Sequence, residues 1–131
     1  MKVRTARLIT LSAAIAIGVG ACDDDSPVVP INHQPVISSL TAVPDSVGPQ
    51  DSIVVTCVAS DPDGNPLVYD WFTDTRLRIK GAPGGVYLYN AGSVQVFYYG
   101  TPWPTDSIAW ITCYARDQRG MHAGSNIIVN L

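Results

Sequence analysis

Glutamate is missing from this sequence, and charge of either sign is scarce. Only 15% of the 131 residues are charged, and all 11 acidic residues are aspartates. Glu is a good helix former, whereas Asp favours turns, as do the 11 Gly and 10 Pro found here. The balance therefore predicts strands joined by turns. The 47% apolar content is enough to form the core of one domain.

Motifs of common catalytic sites are also missing. The chain has no G-x-S-x-G nucleophile elbow, no H-E-x-x-H metal motif and no phosphate-cradling glycine loop. His122 has no Ser or Cys partner in such a motif, and His33 is a solitary histidine in a linker, which is usually inert. We therefore expect no enzyme and no cofactor, with Ca²⁺ as the exception considered below.

The N-terminus has the pattern of a signal peptide over residues 1–21. A basic segment is followed by 13 mostly apolar residues, 8–20. A membrane-spanning helix needs about 20 such residues, so this stretch is too short to be one. The stretch ends in Val19-Gly20-Ala21-Cys22, which resembles the lipobox of bacterial lipoproteins. We therefore expect acyl chains on Cys22 to anchor the protein to a membrane. An ordinary secretory signal that happens to end at a cysteine is the alternative.

Removal of this signal peptide makes the net charge of the chain more negative. It takes away three of the eight basic residues, so that five remain against 11 acidic ones, a net charge of −6. Such a chain has no basic surface for a nucleic-acid partner.

The run Asp23-Asp24-Asp25 resembles an inner-membrane retention signal of some bacteria and a surface-export signal of others. The outer membrane or cell surface and the periplasmic side of the inner membrane both remain open.

The chain beyond Cys22 divides into a tether and a domain. Prolines keep residues 22–34 extended, which predicts a flexible tether. Residues 35–131 consist of short apolar segments separated by turn signals, which predicts about seven or eight strands and no helix. The predicted strands cover residues 36–43, 51–60, 67–73, 76–80, 86–89, 93–99, 107–115 and 125–131.

Two passages resemble the PKD-type, immunoglobulin-like domains of bacterial surface proteins. Residues 58–71, V-A-S-D-P-D-G-N-P-L-V-Y-D-W, are similar to the passage "A-x-D-P-D-G-D-x-L-x-Y-x-W" of those domains. Residues 114–120 resemble their "V-x-D-x-x-G" hairpin. The resemblance covers about residues 35–131 and implies an all-β, immunoglobulin-like (PKD-like) antiparallel β-sandwich. Ile111 stands where antibody-type domains have a corner tyrosine, which favours the bacterial type.

The resemblance also implies a disulfide between the two sheets. Cys57, Trp71 and Cys113 match the Cys…Trp…Cys arrangement of immunoglobulin domains. Lipidation of Cys22 would leave only these two cysteines, and an envelope compartment would favour their oxidation. A bridge closing a loop of this length stabilises a domain by about 4 kcal/mol in the chain-entropy account. Two buried free thiols are the alternative.

The turn after the second predicted strand is a candidate calcium site. Asp61, Asp63 and Asn65 alternate along it and could present oxygen ligands, with Asp117 expected at the same end of the domain. Ca²⁺ prefers such hard oxygens, but it takes six or more, and no EF-hand glutamate follows. A turn whose side chains bond its own backbone explains the same residues.

Aromatic residues in the second half are a candidate ligand patch. Neighbouring residues of a strand face opposite ways, so some of these rings must be exposed. We expect Tyr87, Tyr89, Tyr98 and Trp103 to offer flat surfaces to a sugar or a protein. Ordinary surface tyrosines of a β-sheet are the alternative.

These features together predict a non-enzymatic, lipid-anchored immunoglobulin-like module of the bacterial cell envelope. We expect it to contact an envelope or surface protein or to have a structural role. Carbohydrate binding and calcium-dependent adhesion are the alternatives.

Overall fold

The computed structural model describes residues 27–100 and 107–131, and this part of the chain contains strands but no helix. Hence no helix in it is long and apolar enough to cross a membrane. The strands are β1 (Val36–Val43), β2 (Ser52–Ser60), β3 (Leu67–Thr73), β4 (Leu77–Ile79), β5 (Tyr87–Ala91), β6 (Val94–Tyr99), β7 (Ile108–Asp117) and β8 (His122–Asn130). All eight coincide with predicted strands to within a few residues.

The strands form two antiparallel sheets of four strands each. The first sheet has the order β1-β2-β6-β4 and the second the order β5-β3-β7-β8. Immunoglobulin-type sandwiches have one sheet in the order A-B-E-D and another with C, F and G. The first sheet follows A-B-E-D, while β3, β7 and β8 take the places of C, F and G. The predicted all-β antiparallel sandwich is confirmed, and its strand order resembles the immunoglobulin arrangement with β5 added beside β3.

The core lies between the sheets and is built by alternation along the strands. Ile53, Val55 and Cys57 of β2 point inward and are buried, as the sequence pattern predicts. Trp71 of β3 is fully buried, and its ring meets that of Phe97 in the first sheet edge to face, with centroids 5.8 Å apart. Its indole N–H donates to the carbonyl oxygen of Gly92 at 2.9 Å, so its polar atom is satisfied. Trp71 therefore joins the two sheets.

The predicted disulfide is not present. Cys57 and Cys113 face each other across the sandwich, as expected, but both are buried free cysteines. Their thiols lie 3.6 Å apart, whereas a disulfide joins its sulfurs at about 2.05 Å. The packed sheets hold the sulfurs in contact and not at bonding distance. Burial raises the pKa of both thiols, so they stay protonated and unreactive at neutral pH.

Candidate functional site

The end of the predicted tether is docked onto the domain. The side-chain amide of Asn32 donates to Oδ2 of Asp117 at 2.6 Å. The backbone N–H of His33 donates to Oδ2 of Asp63 at 2.6 Å, and its Nδ1 lies 2.7 Å from Oδ1 of the same carboxylate. Gln34 donates from Nε2 to the His122 carbonyl oxygen at 2.6 Å. Residues 32–34 are thus part of the domain surface, and His33 has a structural role.

The contact with this segment lowers the pKa of the two carboxyl groups that hold it, those of Asp63 and Asp117. Hydrogen bonds from the backbone and the ring of His33 lower the pKa of Asp63. Burial raises the pKa of Asp117, but hydrogen bonds from the Asn32 side chain and from the Met121 and Arg119 backbones outweigh that effect, and the pKa is lowered. Both groups are therefore charged acceptors at neutral pH.

The predicted calcium ligands form a self-bonded turn. Oδ1 of Asp61 accepts hydrogen bonds from the backbone N–H of Asp63 at 2.8 Å and of Asn65 at 3.1 Å. Gly64 has a positive φ of 74°, which the turn requires. Both oxygens of Asp63 are directed to His33. Within residues 27–100 and 107–131, no group of three or more His, Cys, Asp or Glu could hold a metal ion.

The four predicted aromatic ligand residues do not form one patch. Tyr87 and Tyr89 lie together on β5 of the second sheet. Tyr98 lies on β6 of the first sheet, where it pairs with Ser52. Its inclusion in a common patch is therefore wrong, because alternation along a strand fixes the face of a residue but not the sheet. Trp103, like Cys22, lies outside the described residues.

Tyr87 and Tyr89 belong instead to an aromatic cluster on the outer surface of the second sheet. Phe72 of β3 is at its centre and makes edge-to-face contacts with three tyrosines, with ring centroids 5.4 to 5.6 Å apart. The ring of Tyr114 also contacts that of His122 at 5.9 Å. We call this set the aromatic face: Phe72, Tyr87, Tyr89, Tyr114 and His122.

The strand registers explain why these residues meet. Cys113 and Trp71 point into the core, so the next residue in each strand, Tyr114 or Phe72, points outward. Tyr87 pairs with Phe72 across β5 and β3. The sequence predicts that Trp71 and Cys113 point inward. The exposure of the residues that follow them, Phe72 and Tyr114, could have been predicted from the same alternation.

Tyr114 lies across a glycine of the neighbouring strand. It pairs with Gly124 of β8, and a methyl group at Gly124 would lie 2.6 Å from Cε1 of the tyrosine ring. Only a glycine lets the ring cover this position. One side of the ring is therefore turned to the sheet, and the residue remains 37% exposed.

Two shallow hollows adjoin the Tyr114 ring. The first has a volume of about 250 Å³, and the second, on the β8 side, about 340 Å³. Tyr114 lines both, so the two hollows meet at this residue. The first is lined by Asp70, Phe72, Tyr114, Arg116 and His122, and the second by Thr112, Tyr114, Gly124, Ser125 and Asn126.

An ion pair is fixed at the rim of the first hollow. Nε of Arg116 donates to Oδ2 of Asp70 at 3.2 Å, and its Nη2 donates to Oδ1 of Asn90 at 2.8 Å. Asp70 also accepts the backbone N–H of Asn90 at 2.9 Å. The side chain of Asp70 is only 12% exposed, so this pairing is what makes its burial tolerable.

Comparisons with known proteins give two distant structural likenesses. No family model and no curated protein matches the chain. The PKD1 domain of Epp from Vibrio anguillarum is 14% identical over 77% of this chain and 96% of its own, with a TM-score of 0.49. A lipoprotein from Bacteroides thetaiotaomicron is 13% identical over 82% of this chain and 87% of its own, with a TM-score of 0.46. The assignment of the fold rests on the strand order.

Proposed function

We propose that this protein is a non-enzymatic binding module of the bacterial cell envelope, anchored by lipid on Cys22, and that the aromatic face contacts its partner. An envelope or surface protein or a glycan would be that partner. The observation that carries the proposal is the exposure of three clustered tyrosines on one sheet surface: 52% for Tyr87, 60% for Tyr89 and 37% for Tyr114.

The physical argument is that these rings combine apolar area with polar atoms at their ends. Clustered exposed aromatic area is a common mark of a binding surface, because its removal from water on binding is favourable. Each phenol can also exchange hydrogen bonds with a partner. The apolar surface continues along β7 and β8 through Trp110 and Ile128, which are 56% and 57% exposed.

A double substitution on β5 tests the binding face. Tyr87→Ser with Tyr89→Ser should abolish recovery of the partner from native envelopes that contain the full-length protein. Tyr98→Ser is the matched control, because Tyr98 is 43% exposed on the other sheet. It should leave recovery unchanged, and both proteins should remain folded at the temperature of the recovery experiment. Equal recovery with all three proteins would contradict the proposed face.

The anchor needs a separate test. Cys22→Ser should prevent acylation and move the protein from the membrane fraction to the soluble fraction. Two or three acyl chains bind a membrane far more firmly than one, so the shift should be nearly complete. Unchanged sedimentation with membranes would contradict lipid anchoring.

A second candidate function, calcium-dependent adhesion, is favoured by one observation. Oδ2 of Asp61 is buried and accepts no hydrogen bond from any described residue. A buried carboxylate oxygen without a partner is costly, and Ca²⁺ would satisfy it. The amide nitrogen of Asn65 now faces Asp61 and Asn32, so its oxygen would have to turn inward. A rise in melting temperature with CaCl₂ that Asp61→Asn removes would support this function, and no rise would exclude it.

A further inference from the structure

We infer that the aromatic face binds an uncharged oligosaccharide, with one sugar unit stacked on the ring of Tyr114 and its neighbouring units in the adjoining hollows. This inference rests on the proposed function and names the class of its ligand. Three properties of the site support it. The ring of Tyr114 offers a flat surface with Phe72 beside it, hydrogen-bonding groups surround that ring, and the charges of Asp70 and Arg116 at the site cancel.

The platform is Tyr114. Its ring covers Gly124 on one side, and the residue is still 37% exposed, so part of the ring is accessible to a ligand. Phe72 stands nearly perpendicular to it, at an interplanar angle of 89°. A sugar ring has a face of C–H groups, and the negative face of an aromatic ring attracts such groups. Tyr114 would lie under that face, while Phe72 would limit sideways movement.

Hydrogen-bonding groups surround this platform. Among the described residues, the phenols of Tyr87, Tyr89 and Tyr114 make no hydrogen bond, nor do the imidazole nitrogens of His122. Phenols donate and accept, and a neutral imidazole does both through its two nitrogens. Sugar hydroxyls also donate and accept, so each can pair with either kind of group.

The charge of the site favours an uncharged ligand. Asp70 and Arg116 neutralise each other through the ion pair at 3.2 Å, and the guanidinium is also held by Asn90. An anionic ligand would have to compete with Asp70 for Arg116, and a cationic one with Arg116 for Asp70. The second hollow contributes only neutral polar side chains, those of Thr112, Ser125 and Asn126.

The arrangement of the hollows favours a ligand of more than one unit. They have volumes of about 250 and 340 Å³, which is at or below the low end for drug-sized ligands. Because both hollows adjoin Tyr114, the units next to the stacked sugar would rest in these hollows. A peptide added as an extra strand would instead need the backbone of an edge strand, and these hollows lie on the sheet face.

The test is a binding titration of the full-length protein in detergent. The probes are tetrasaccharides of glucose, mannose, xylose and N-acetylglucosamine, the corresponding monosaccharides, and tetragalacturonate as an acidic chain. We expect one uncharged tetrasaccharide to bind at least tenfold more tightly than its monosaccharide. Tyr114→Ala should weaken that binding at least tenfold, whereas Tyr98→Ala on the other sheet should change it less than twofold.

The outcomes separate this inference from the function on which it rests. Binding of tetragalacturonate alone, or equal effects of Tyr114→Ala and Tyr98→Ala, would overturn it. If no saccharide binds at millimolar concentration while partner recovery still depends on Tyr87 and Tyr89, the saccharide inference fails and the binding face stands. If neither depends on these tyrosines, both proposals fail.

Discussion

The outer surfaces of the two sheets are both apolar, but their side chains differ in kind. The first sheet exposes valines on three strands, which we call the valine face: Val43, Val54, Val58 and Val94, between 42% and 69% exposed. These side chains are short, branched and without polar atoms. The second sheet exposes the aromatic face, whose rings carry hydroxyl and imidazole groups.

This difference shows that exposed apolar area alone does not define a site. Val is common on strands because its branched side chain fits a pleated surface, so the valine face needs no functional explanation. The aromatic face has features that strand propensity does not require. Tyr114 lies over a glycine, an ion pair is fixed at the rim, and two hollows adjoin one ring.

The largest expected effect comes from removing the core residue on which both faces depend. Trp71→Ala deletes a fully buried ring and leaves the Gly92 carbonyl without its donor. Such a change costs about 3–5 kcal/mol of unfolding free energy. Urea unfolding measures it. Trp110→Ala, at a 56% exposed position, is the matched control and should cost about 0.5 kcal/mol or less. Similar losses for both variants would contradict the described core.

The next effect should break only the aromatic face. Gly124→Ala places a methyl group 2.6 Å from Cε1 of Tyr114, so the ring must move away from the sheet. Partner or saccharide binding should weaken about tenfold, equivalent to about 1.4 kcal/mol. Gly84→Ala is the control, because a methyl group there meets no atom within 4 Å. Native binding by the Gly124→Ala protein would show that the position of this ring is unimportant.

A smaller effect concerns the docked segment beside the aromatic face. The pKa of Asp63 is lowered in the folded protein, so its contact with His33 is fully present above the ordinary value of 3.8 and is lost as pH falls through the lowered value. Exchange of the His33 amide hydrogen, followed by NMR and divided by the intrinsic exchange rate at each pH, should accelerate in that acid range. Asp63→Asn should accelerate it at neutral pH as well. Slow exchange in both cases would contradict docking.

The smallest effect is expected from thiol chemistry. Cys57 and Cys113 are buried with raised pKa values, so a thiol reagent should leave the native protein and both outer faces unchanged. The thiols of Cys57 and Cys113 should both react once urea unfolds the domain. If no thiol reacts after unfolding without a reductant, the cysteines are joined, and the free-thiol description is wrong.

Much of the fold could be predicted from the sequence, because the alternation of apolar and polar residues along each strand indicates which side chains are buried. Inward Cys57 and Trp71 fix the alternation of β2 and β3, and the turn between these strands is made of residues that bond its own backbone. The prediction of an inter-sheet disulfide was wrong. The cysteine pattern indicates that the two residues lie close together, but it does not indicate whether their sulfurs are bonded.

The candidate site was much less predictable, since it is assembled from distant segments. Nothing local to Tyr98 indicates which sheet it joins, and nothing local to Tyr114 indicates that Gly124 lies opposite. The docking of residues 32–34 was also missed. Prolines around them favour an extended chain, and an extended chain can still bind through its side chains to turns about 30 and 85 residues away.

The central claim is that the aromatic face of the second sheet contacts the partner, and not the outer surface of the first sheet, which carries the valine face and Tyr98. The most direct measurement is photo-crosslinking in cells that produce the full-length protein, with a benzophenone amino acid in place of either Tyr89 or Tyr98. These positions are 60% and 43% exposed on opposite sheets. We predict envelope adducts from position 89 and only background from position 98. Adducts from position 98 alone, or equal yields from both, would contradict the account.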